Sequence, residues 1–258
     1  MKNLFIEEAT MIKVAVYGRK GGTGKSTLTS NIARAYSIMN KKTLVIDLDA
    51  QNDQSLNFGI KKEQYNKKVF DDIFIENNVD INDCIVEVED KLYLMPNRDT
   101  NAIEEYLRRA NTETVFESKL AQLEKMGFKY VFFDLPPSRS ALNDAALYYI
   151  ENLIMPVQLT ITSVNSVVNT VKYLEALRLS PNKLIKAVIP NMYRKNVAEC
   201  EQCLNTLINI YGDKVTDPVK YSTKISKVVN NGVTAFDADE QIKGDLLNVL
   251  RKVVPVVE

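Results

Sequence analysis

The segment 12–27 decides the fold, because an apolar stretch runs directly into a glycine-rich loop. The apolar stretch is Ile12–Tyr17, and the chain continues as Gly18-Arg19-Lys20-Gly21-Gly22-Thr23-Gly24-Lys25-Ser26-Thr27. The glycines let the backbone turn several N–H groups toward a phosphate, and a helix beginning near Ser26 adds its positive end. Lys25 supplies a charge for the β- and γ-phosphates, and the Ser26 hydroxyl is a ligand for Mg²⁺. The segment therefore predicts a strand, a nucleotide phosphate site and a helix.

Outward from this loop, apolar strands and amphipathic helices alternate along the chain. The pattern predicts an α/β fold with a doubly wound, mostly parallel sheet and helices on both faces. Residues 52–90 show no clear periodicity, and we expect loops and short helices there. The predicted strands are Ile12–Tyr17, Thr43–Ile46, Leu92–Met95, Tyr130–Phe133, Leu153–Val157 and Leu184–Ile189. The predicted helices are Ser26–Met39, Ile103–Arg109, Thr114–Met126, Ala141–Ile150, Val164–Leu177, Val197–Tyr211 and about Asp239–Val254.

The composition excludes several kinds of site. We expect the 258 residues to form a single domain, with residues 1–11 as a short N-terminal extension. The chain has no histidine, which excludes Ser-His and Cys-His nucleophilic pairs and histidine-bound metals. Basic and acidic residues both number 33, so any contact with a polyanion must come from a local patch. Three cysteines do not make a disulfide framework, so we expect a cytoplasmic protein. No apolar run reaches the ~20 residues of a membrane span.

Arg19 and Lys20 narrow the class of phosphate loop. The general motif G-x-x-x-x-G-K-[ST] has glycine where this chain has Arg19, and an additional lysine, Lys20, follows it. In this the chain resembles the deviant Walker A ATPases, the family of ParA partition proteins, MinD and the nitrogenase iron protein. The resemblance implies a homodimer that sandwiches two ATP molecules with Mg²⁺, and a Lys20 that reaches the partner's nucleotide as an arginine finger does. The nucleotide contacts that it implies in the loop are Lys20, Gly21, Gly22, Thr23, Gly24, Lys25, Ser26 and Thr27.

Three further segments match the family in order, and the resemblance covers roughly residues 12–250. By this resemblance Lys20, Lys25 and Asp49 are the catalytic residues, and Asp49 positions the attacking water. Asp47 supports Mg²⁺ through its hydration shell, and Asp134 holds a Mg²⁺-bound water beside Ser26. The three segments are Val45-Ile46-Asp47-Leu48-Asp49-Ala50-Gln51, Leu94-Met95-Pro96 and Val131-Phe132-Phe133-Asp134-Leu135-Pro136-Pro137.

Two other branches of the family stay open as alternatives. Cys200-x-x-Cys203 resembles the CxxC of iron–sulfur cluster carrier ATPases, although both cysteines fall on an apolar helical stripe, as core residues do. A MinD-like membrane-positioning ATPase needs a C-terminal amphipathic helix. Asp245–Val254 is amphipathic, but it carries few cations and Pro255 ends it, so we expect it to pack on the sheet. The nitrogenase iron protein is excluded, because residues 134–147 contain no cysteine for its cluster.

The C-terminal third favours the DNA-segregation branch. Pro190-Asn191-Met192-Tyr193-Arg194, and Pro218–Ser226 followed by Asn231-Gly232, resemble stretches of ParA proteins. The resemblance implies that Asn191 and Pro218 face the adenine. It implies that Arg194, Lys220 and Lys224 bind DNA without sequence preference in the ATP-bound dimer. We expect no helix-turn-helix extension, a nucleoid-associated location without a membrane contact, and a ParB-like centromere-binding partner that stimulates hydrolysis during plasmid or chromosome segregation.

Overall fold

The predicted strands lie side by side in one sheet. This computed structural model describes residues 11–65, 68–225, 232 and 234–253. The described residues form a seven-stranded sheet in the order β3-β4-β2-β5-β1-β6-β7. Only the β3–β4 pair among them is antiparallel. The strands are β1 Ile12–Val16, β2 Thr43–Asp47, β3 Val86–Glu89, β4 Leu92–Met95, β5 Tyr130–Asp134, β6 Asn152–Gln158 and β7 Ile185–Asn191.

Helices cover both faces of this sheet, which confirms the predicted doubly wound α/β class. On one face α1 packs with the closing helix Glu240–Val253, and on the other α4, α5, α7, α8 and α10 share a second core. Because both faces are covered, β2 and β5 are buried along their whole length. The helices are α1 Lys25–Ile38, α2 Asp53–Asn57, α3 Asp72–Ile75, α4 Thr100–Leu107, α5 Val115–Lys119, α6 Gln122–Lys125, α7 Ala141–Tyr149, α8 Ile161–Ala176, α9 Pro181–Leu184 and α10 Ala198–Tyr211. Single 3₁₀ turns lie at Lys62–Gln64, Ile81–Cys84 and Gly212–Lys214, and a short helix at Ala235–Ala238 precedes the closing helix.

Apart from small shifts at element ends and the unpredicted short helices Pro181–Leu184 and Ala235–Ala238, the structure differs from the predicted elements in two places. The predicted helix Thr114–Met126 is divided into α5 and α6, because the chain turns at Leu120 so that both Leu120 and Leu123 reach the core. Strand β3 was not predicted. Its Val-Glu-Val-Glu alternation and the reversal at Lys91, where φ is 62°, are the signal of a short hairpin with β4.

The closing helix, Glu240–Val253, bears on the prediction that the amphipathic C-terminal segment packs on the sheet. Ile242, Leu246, Val249, Leu250 and Val253 are all buried, and they pack with α1 and the sheet. The prediction that this amphipathic helix packs on the sheet is therefore confirmed, apart from Val254 and Pro255, which lie outside the described residues. In the part of the chain that the structure describes, no helix has the length and apolarity to cross a bilayer.

The parallel strands place the functional segments at one edge. β1 lies between β5 and β6, and the chain leaves β1 toward β2 on one side and reaches β6 and β7 on the other. Ligands of open α/β sheets bind in the crevice beyond the carboxyl ends of the strands at such a reversal. Asp47 and Asp134 are register partners at the ends of β2 and β5. The glycine-rich loop leaves β1 at the same edge, so the fold brings these predicted site residues together.

Candidate nucleotide-binding site

The glycine-rich loop has a defined conformation and is hydrogen-bonded to the end of β7. Gly24 begins α1 in the left-handed region, with φ 87°. A Cβ atom there would lie 2.3 Å from the Asn191 amide nitrogen, so the position accepts only glycine. Asn191 Nδ2 donates to the Thr23 carbonyl at 2.8 Å. Asn191, predicted at the adenine, thus holds the loop directly.

Lys25 lies beneath the loop as a buried cation. Its Nζ donates to the Lys20 carbonyl at 3.2 Å. Burial lowers the pKa of Lys25, while the carboxylates of Asp134, Asp49 and Asp53 raise it. A cavity of about 380 Å³ opens in front of the loop, and a phosphate there would offer Lys25 a fully charged acceptor. The cavity is lined by Gly21, Gly22, Gly24, Lys25, Ser26, Thr27, Asp49, Asp53, Pro137 and Met192.

Asp47 and Asp134 form a buried pair of carboxylates. Burial raises the pKa of both groups, to about 6 for Asp134, and the charge of Asp134 raises that of Asp47 further. Asp47 accepts from the backbone amides of Asp49 and Gln54, each at 3.0 Å. Asp134 accepts from Gln54 Nε2 at 2.7 Å and from Thr29 Oγ1 at 3.5 Å. Two buried carboxylates this close repel each other when both are ionised, so the pair favours a position for positive charge beside it.

The oxygen donors at this edge fit Mg²⁺. The Ser26 hydroxyl lies close enough to Asp134 to lower the pKa of that carboxyl, and hydroxyl and carboxylate oxygens are the hard donors that Mg²⁺ prefers. The buried Gln54 Oε1 has no hydrogen-bond partner in the described residues, so it is free to accept from a metal-bound water. No group of three or more Cys, Asp or Glu in the described chain is arranged to hold a metal by itself. Nucleotide phosphates and water would complete the shell, as they commonly do for Mg²⁺.

Asp49 stands at the rim of the phosphate cavity on a stiffened loop. It is partly buried, and its carboxylate accepts from the Gln51 amide at 3.1 Å. Asn97 Nδ2 donates to the carbonyls of both Asp47 and Asp49, at 2.9 Å each. Because the Asp49 amide is also bound by Asp47, the loop is held from two sides. Asp49 therefore faces the cavity with little freedom.

Lys20 makes its contacts within its own chain. It is half-buried, and Nζ donates to Thr162 Oγ1 at 2.7 Å and to Thr160 Oγ1 at 3.4 Å. These threonines lie at the start of α8. The role of Lys20 at a partner's nucleotide stays a prediction, and the structure adds two hydroxyls that would have to release it.

A second cavity of about 150 Å³ adjoins the phosphate cavity and has largely apolar walls, as ligand pockets do. It shares Gly24, Thr27 and Met192 with the first. Pro218, predicted at the adenine, is not among the residues that line this cavity, but the four residues after it are. The Val219 amide donates to the Pro190 carbonyl at 2.8 Å. The lining is Gly24, Thr27, Leu28, Asn31, Asn191, Met192, Val219, Lys220, Tyr221, Ser222, Ile225, Ala235, Ile242 and Leu246.

The predicted DNA-binding cations lie beside this second cavity, and they differ in their partners. Lys220 pairs with Asp245 at 2.9 Å, and Lys224 pairs with Asp239 at 2.8 Å. The Arg194 guanidinium lies over the Tyr221 ring, 4.2 Å from its centroid. Arg194 forms no ion pair with any of the described residues. Ser226 and Asn231, which belong to the segments that resemble ParA proteins, lie outside the described residues.

Cys200 and Cys203 are core residues of α10. Both are buried, and Cys200 Sγ lies 3.6 Å from the Leu159 carbonyl oxygen, to which it donates. Burial raises the pKa of the Cys203 thiol, which disfavours the thiolate that binds clusters. The geometry therefore gives no support to the cluster-carrier alternative.

Sequence reasoning missed three kinds of residue at this site. Gln54 bridges the carboxylate pair, Asn97 stiffens the Asp49 loop, and Thr160 and Thr162 hold Lys20. Asn97 follows directly on the Leu94-Met95-Pro96 segment, so its position at a strand end was a usable signal. Gln54 lies in the stretch without clear periodicity, where the sequence offers no such signal.

The fold and the geometry of this site are those of P-loop proteins, and comparison with known proteins agrees. A family model described as "AAA domain" matches residues 11–187, and the chain belongs to this family of ParA/MinD-like P-loop proteins. The chromosome partitioning protein ParA of Caulobacter vibrioides is 27% identical over 212 residues, covering 80% of this chain and 79% of that protein.

Two solved structures share the fold. An ATP complex of a McdA variant from Cyanothece superposes with a TM-score of 0.83 at 19% identity, covering 97% of this chain and all of that one. The septum site-determining protein MinD of Pyrococcus horikoshii, complexed with Mg-ADP, gives 0.74 at 18% identity, covering 94% and 96%. At these identities the likeness shows the fold alone.

Proposed function

We propose that the chain is a Mg²⁺-dependent ATPase of the DNA-segregation type, which binds DNA as an ATP-bound dimer. The observation that carries the proposal is the continuous array at the carboxyl edge of the sheet. A phosphate cavity with a buried lysine shares Gly24, Thr27 and Met192 with a second, largely apolar cavity. The carboxylate pair is tied to the Ser26 turn of the same loop through Gln54. The ParA relative supports the choice of segregation from within the family.

Each group of the site has a separate task in hydrolysis. Lys25 exchanges the Lys20 carbonyl for the β- and γ-phosphates, which are stronger acceptors because they are charged. Ser26, Asp134 and Asp47 would hold Mg²⁺, which when bound neutralises charge on the phosphates. Asp49, held at the cavity rim, orients the attacking water toward the γ-phosphate.

Dimerisation would complete the charge of the site. Lys20 is held by Thr160 and Thr162 at the surface of its own chain, and it carries the positive charge that transfer of a phosphoryl group requires. In the proposed dimer it leaves these hydroxyls for the partner's nucleotide. Hydrolysis then depends on the closed dimer. A ParB-like partner could stimulate hydrolysis by promoting this movement of Lys20.

Nucleotide and DNA surface are connected through one stretch of backbone. Lys220 and Tyr221 line the second cavity. The ring of Tyr221 also lies against the Arg194 guanidinium. The Tyr221 amide donates to the Tyr193 carbonyl at 2.9 Å, which ties the two segments together. A base that enters the cavity therefore acts on the same residues that orient the cations, and pairing two copies doubles the phosphate contacts.

The Asp49→Ala variant tests this function. Without Asp49 the water is not oriented but the phosphate and Mg²⁺ contacts remain, so we expect ATP binding, a stable dimer by light scattering and persistent binding to DNA. Asp213→Ala, which removes an exposed carboxylate on the 3₁₀ turn Gly212–Lys214, is the matched control and should turn over. A variant that stays monomeric in saturating Mg-ATP would contradict the assignment of Asp49. A stable dimer that binds liposomes instead of DNA would replace segregation with membrane positioning.

A further inference from the structure

Gln54 is the residue that touches every element of the predicted Mg²⁺ site. Its backbone amide donates to Asp47 Oδ2 at 3.0 Å. Its side-chain Nε2 donates to Asp134 Oδ2 at 2.7 Å and to the Ser26 carbonyl at 2.9 Å. The side chain has no exposed surface. One residue thus joins both carboxylates and the first turn of α1, through its backbone amide to Asp47 and its side-chain amide to Asp134 and Ser26.

The orientation of this amide is fixed by its neighbours. Nε2 faces two oxygen acceptors, and a flipped amide would set Oε1 against a carboxylate and a carbonyl, which is repulsive. Oε1 is therefore the free end, and it has no hydrogen-bond partner in the described residues. Since Oε1 and Nε2 share one carbon, Oε1 lies within the reach of a single water from Asp134.

We propose that Gln54 is a positioning residue that sets the Mg²⁺ affinity of the nucleotide-bound site. Its Nε2 fixes the rotamer of Asp134 and ties that carboxylate to the Ser26 turn, while Oε1 accepts from a water of the metal's hydration shell. The proposal rests on the proposed function, because it assigns Mg²⁺ to this site. Outer-shell partners of this kind typically contribute about 10- to 100-fold in metal affinity.

Asn57 provides a matched control. It is also buried, and its Nδ2 donates to the same Ser26 carbonyl, at 3.1 Å. No hydrogen bond from Asn57 to Asp134 is found within the described residues. The Asn57→Ala variant removes one donor from the Ser26 turn and leaves the carboxylate clamp intact. Gln54→Met removes the amide at nearly constant volume and keeps the backbone bond to Asp47.

The test is a Mg²⁺ titration of fluorescent ATP binding, with the metal-free affinity measured in EDTA. For Gln54→Met we expect the apparent Mg²⁺ affinity to fall by about 10-fold or more with metal-free nucleotide affinity unchanged. Asn57→Ala should change both by less than about 3-fold. Gln54→Asn, which keeps an amide on a shorter side chain, should fall between wild type and Gln54→Met.

The outcomes separate the two claims. A wild-type chain whose nucleotide affinity does not respond to Mg²⁺ would contradict the proposed function itself. A responsive wild type with a folded Gln54→Met or Gln54→Asn of equal Mg²⁺ affinity would overturn the role of Gln54. If neither Gln54 variant melts cooperatively, Gln54 is a packing residue and the proposal fails as well.

Discussion

The nucleotide site and the Arg194/Lys220/Lys224 surface differ in the burial and in the partners of their charged side chains. At the nucleotide site Lys25, Asp47 and Asp134 are buried, and each is hydrogen-bonded to a backbone group or a side-chain amide. On the surface the three cations are exposed, and Lys220 and Lys224 are paired with acids of the same chain. The first region is preformed for its ligand, while the second must exchange partners before it can contact a phosphate.

The difference predicts where mutations act strongly. Removing a buried group leaves its hydrogen-bond partners unsatisfied, which disturbs the site around it. An exposed ion pair contributes only about 0–1 kcal/mol and is screened by salt. We therefore expect variants in the nucleotide site to abolish ATP binding or ATP hydrolysis. Variants on the surface should change DNA affinity by small factors.

The largest effect should come from Lys20→Ala. A cation supplied to the transferring phosphoryl group contributes about 10³-fold or more to the rate. We expect hydrolysis to fall by this order while ATP affinity stays near wild type, measured by phosphate release and by fluorescent ATP binding. Lys186→Ala, an exposed lysine on β7, is the matched control. Hydrolysis at the normal rate in Lys20→Ala would contradict the deviant-loop interpretation.

The second effect should be a loss of nucleotide affinity in Lys25→Ala. A hydrogen bond to a charged partner contributes about 1.5–3 kcal/mol, so the dissociation constant should rise about 10- to 100-fold. Isothermal titration calorimetry measures it. Equal ATP affinity in Lys25→Ala and wild type would mean that the preformed loop is not the phosphate site.

A third prediction concerns stability without ligands. The folded pKa of Asp134 is raised to about 6, so the stability that its protonated form contributes is present below pH ~4 and lost as pH rises through ~6. At pH 7.5 Asp134→Asn should therefore raise the free energy of unfolding by about 1–3 kcal/mol. The gain should shrink toward pH 4 in urea titrations. A variant that is less stable than wild type at pH 7.5 would mean that Asp134 is not a strained carboxylate.

The smallest effects should appear on the surface. Arg194 has no acidic partner among the described residues, so Arg194→Ala should weaken DNA binding about 3- to 10-fold at low salt and flatten its salt slope by about one. Lys224→Ala should change it less than about 3-fold, because Lys224 is already paired with Asp239. The reverse order, measured by fluorescence anisotropy, would mean that the ion pairs open on binding.

Much of the fold was predictable because its signals are local. The apolar runs that end at Asp47 and Asp134 gave β2 and β5 to within one residue, and the glycine loop gave the start of α1. The division of Thr114–Met126 into α5 and α6 was not predictable, since it depends on how Leu120 and Leu123 reach the core.

The candidate site was predictable only where a motif carries its chemistry. The loop lysines and strand-end carboxylates are such groups. Gln54, Asn97 and Thr162 act through contacts with residues distant in the chain, and no sequence period records them. The ion pairs of Lys220 and Lys224 were missed for the same reason, because Asp245 and Asp239 approach them only in the folded chain.

The most direct test of the account is DNA binding as a function of nucleotide and salt. Two unrelated duplexes are titrated by anisotropy with ATP, a slowly hydrolysed analogue, ADP or no nucleotide, each at several salt concentrations. We predict comparable binding of both duplexes with ATP or the analogue, a steep loss of affinity with salt, and no binding with ADP. Equal binding in all nucleotide states, or none with ATP at low salt, would contradict a nucleotide site that controls the Arg194/Lys220/Lys224 surface.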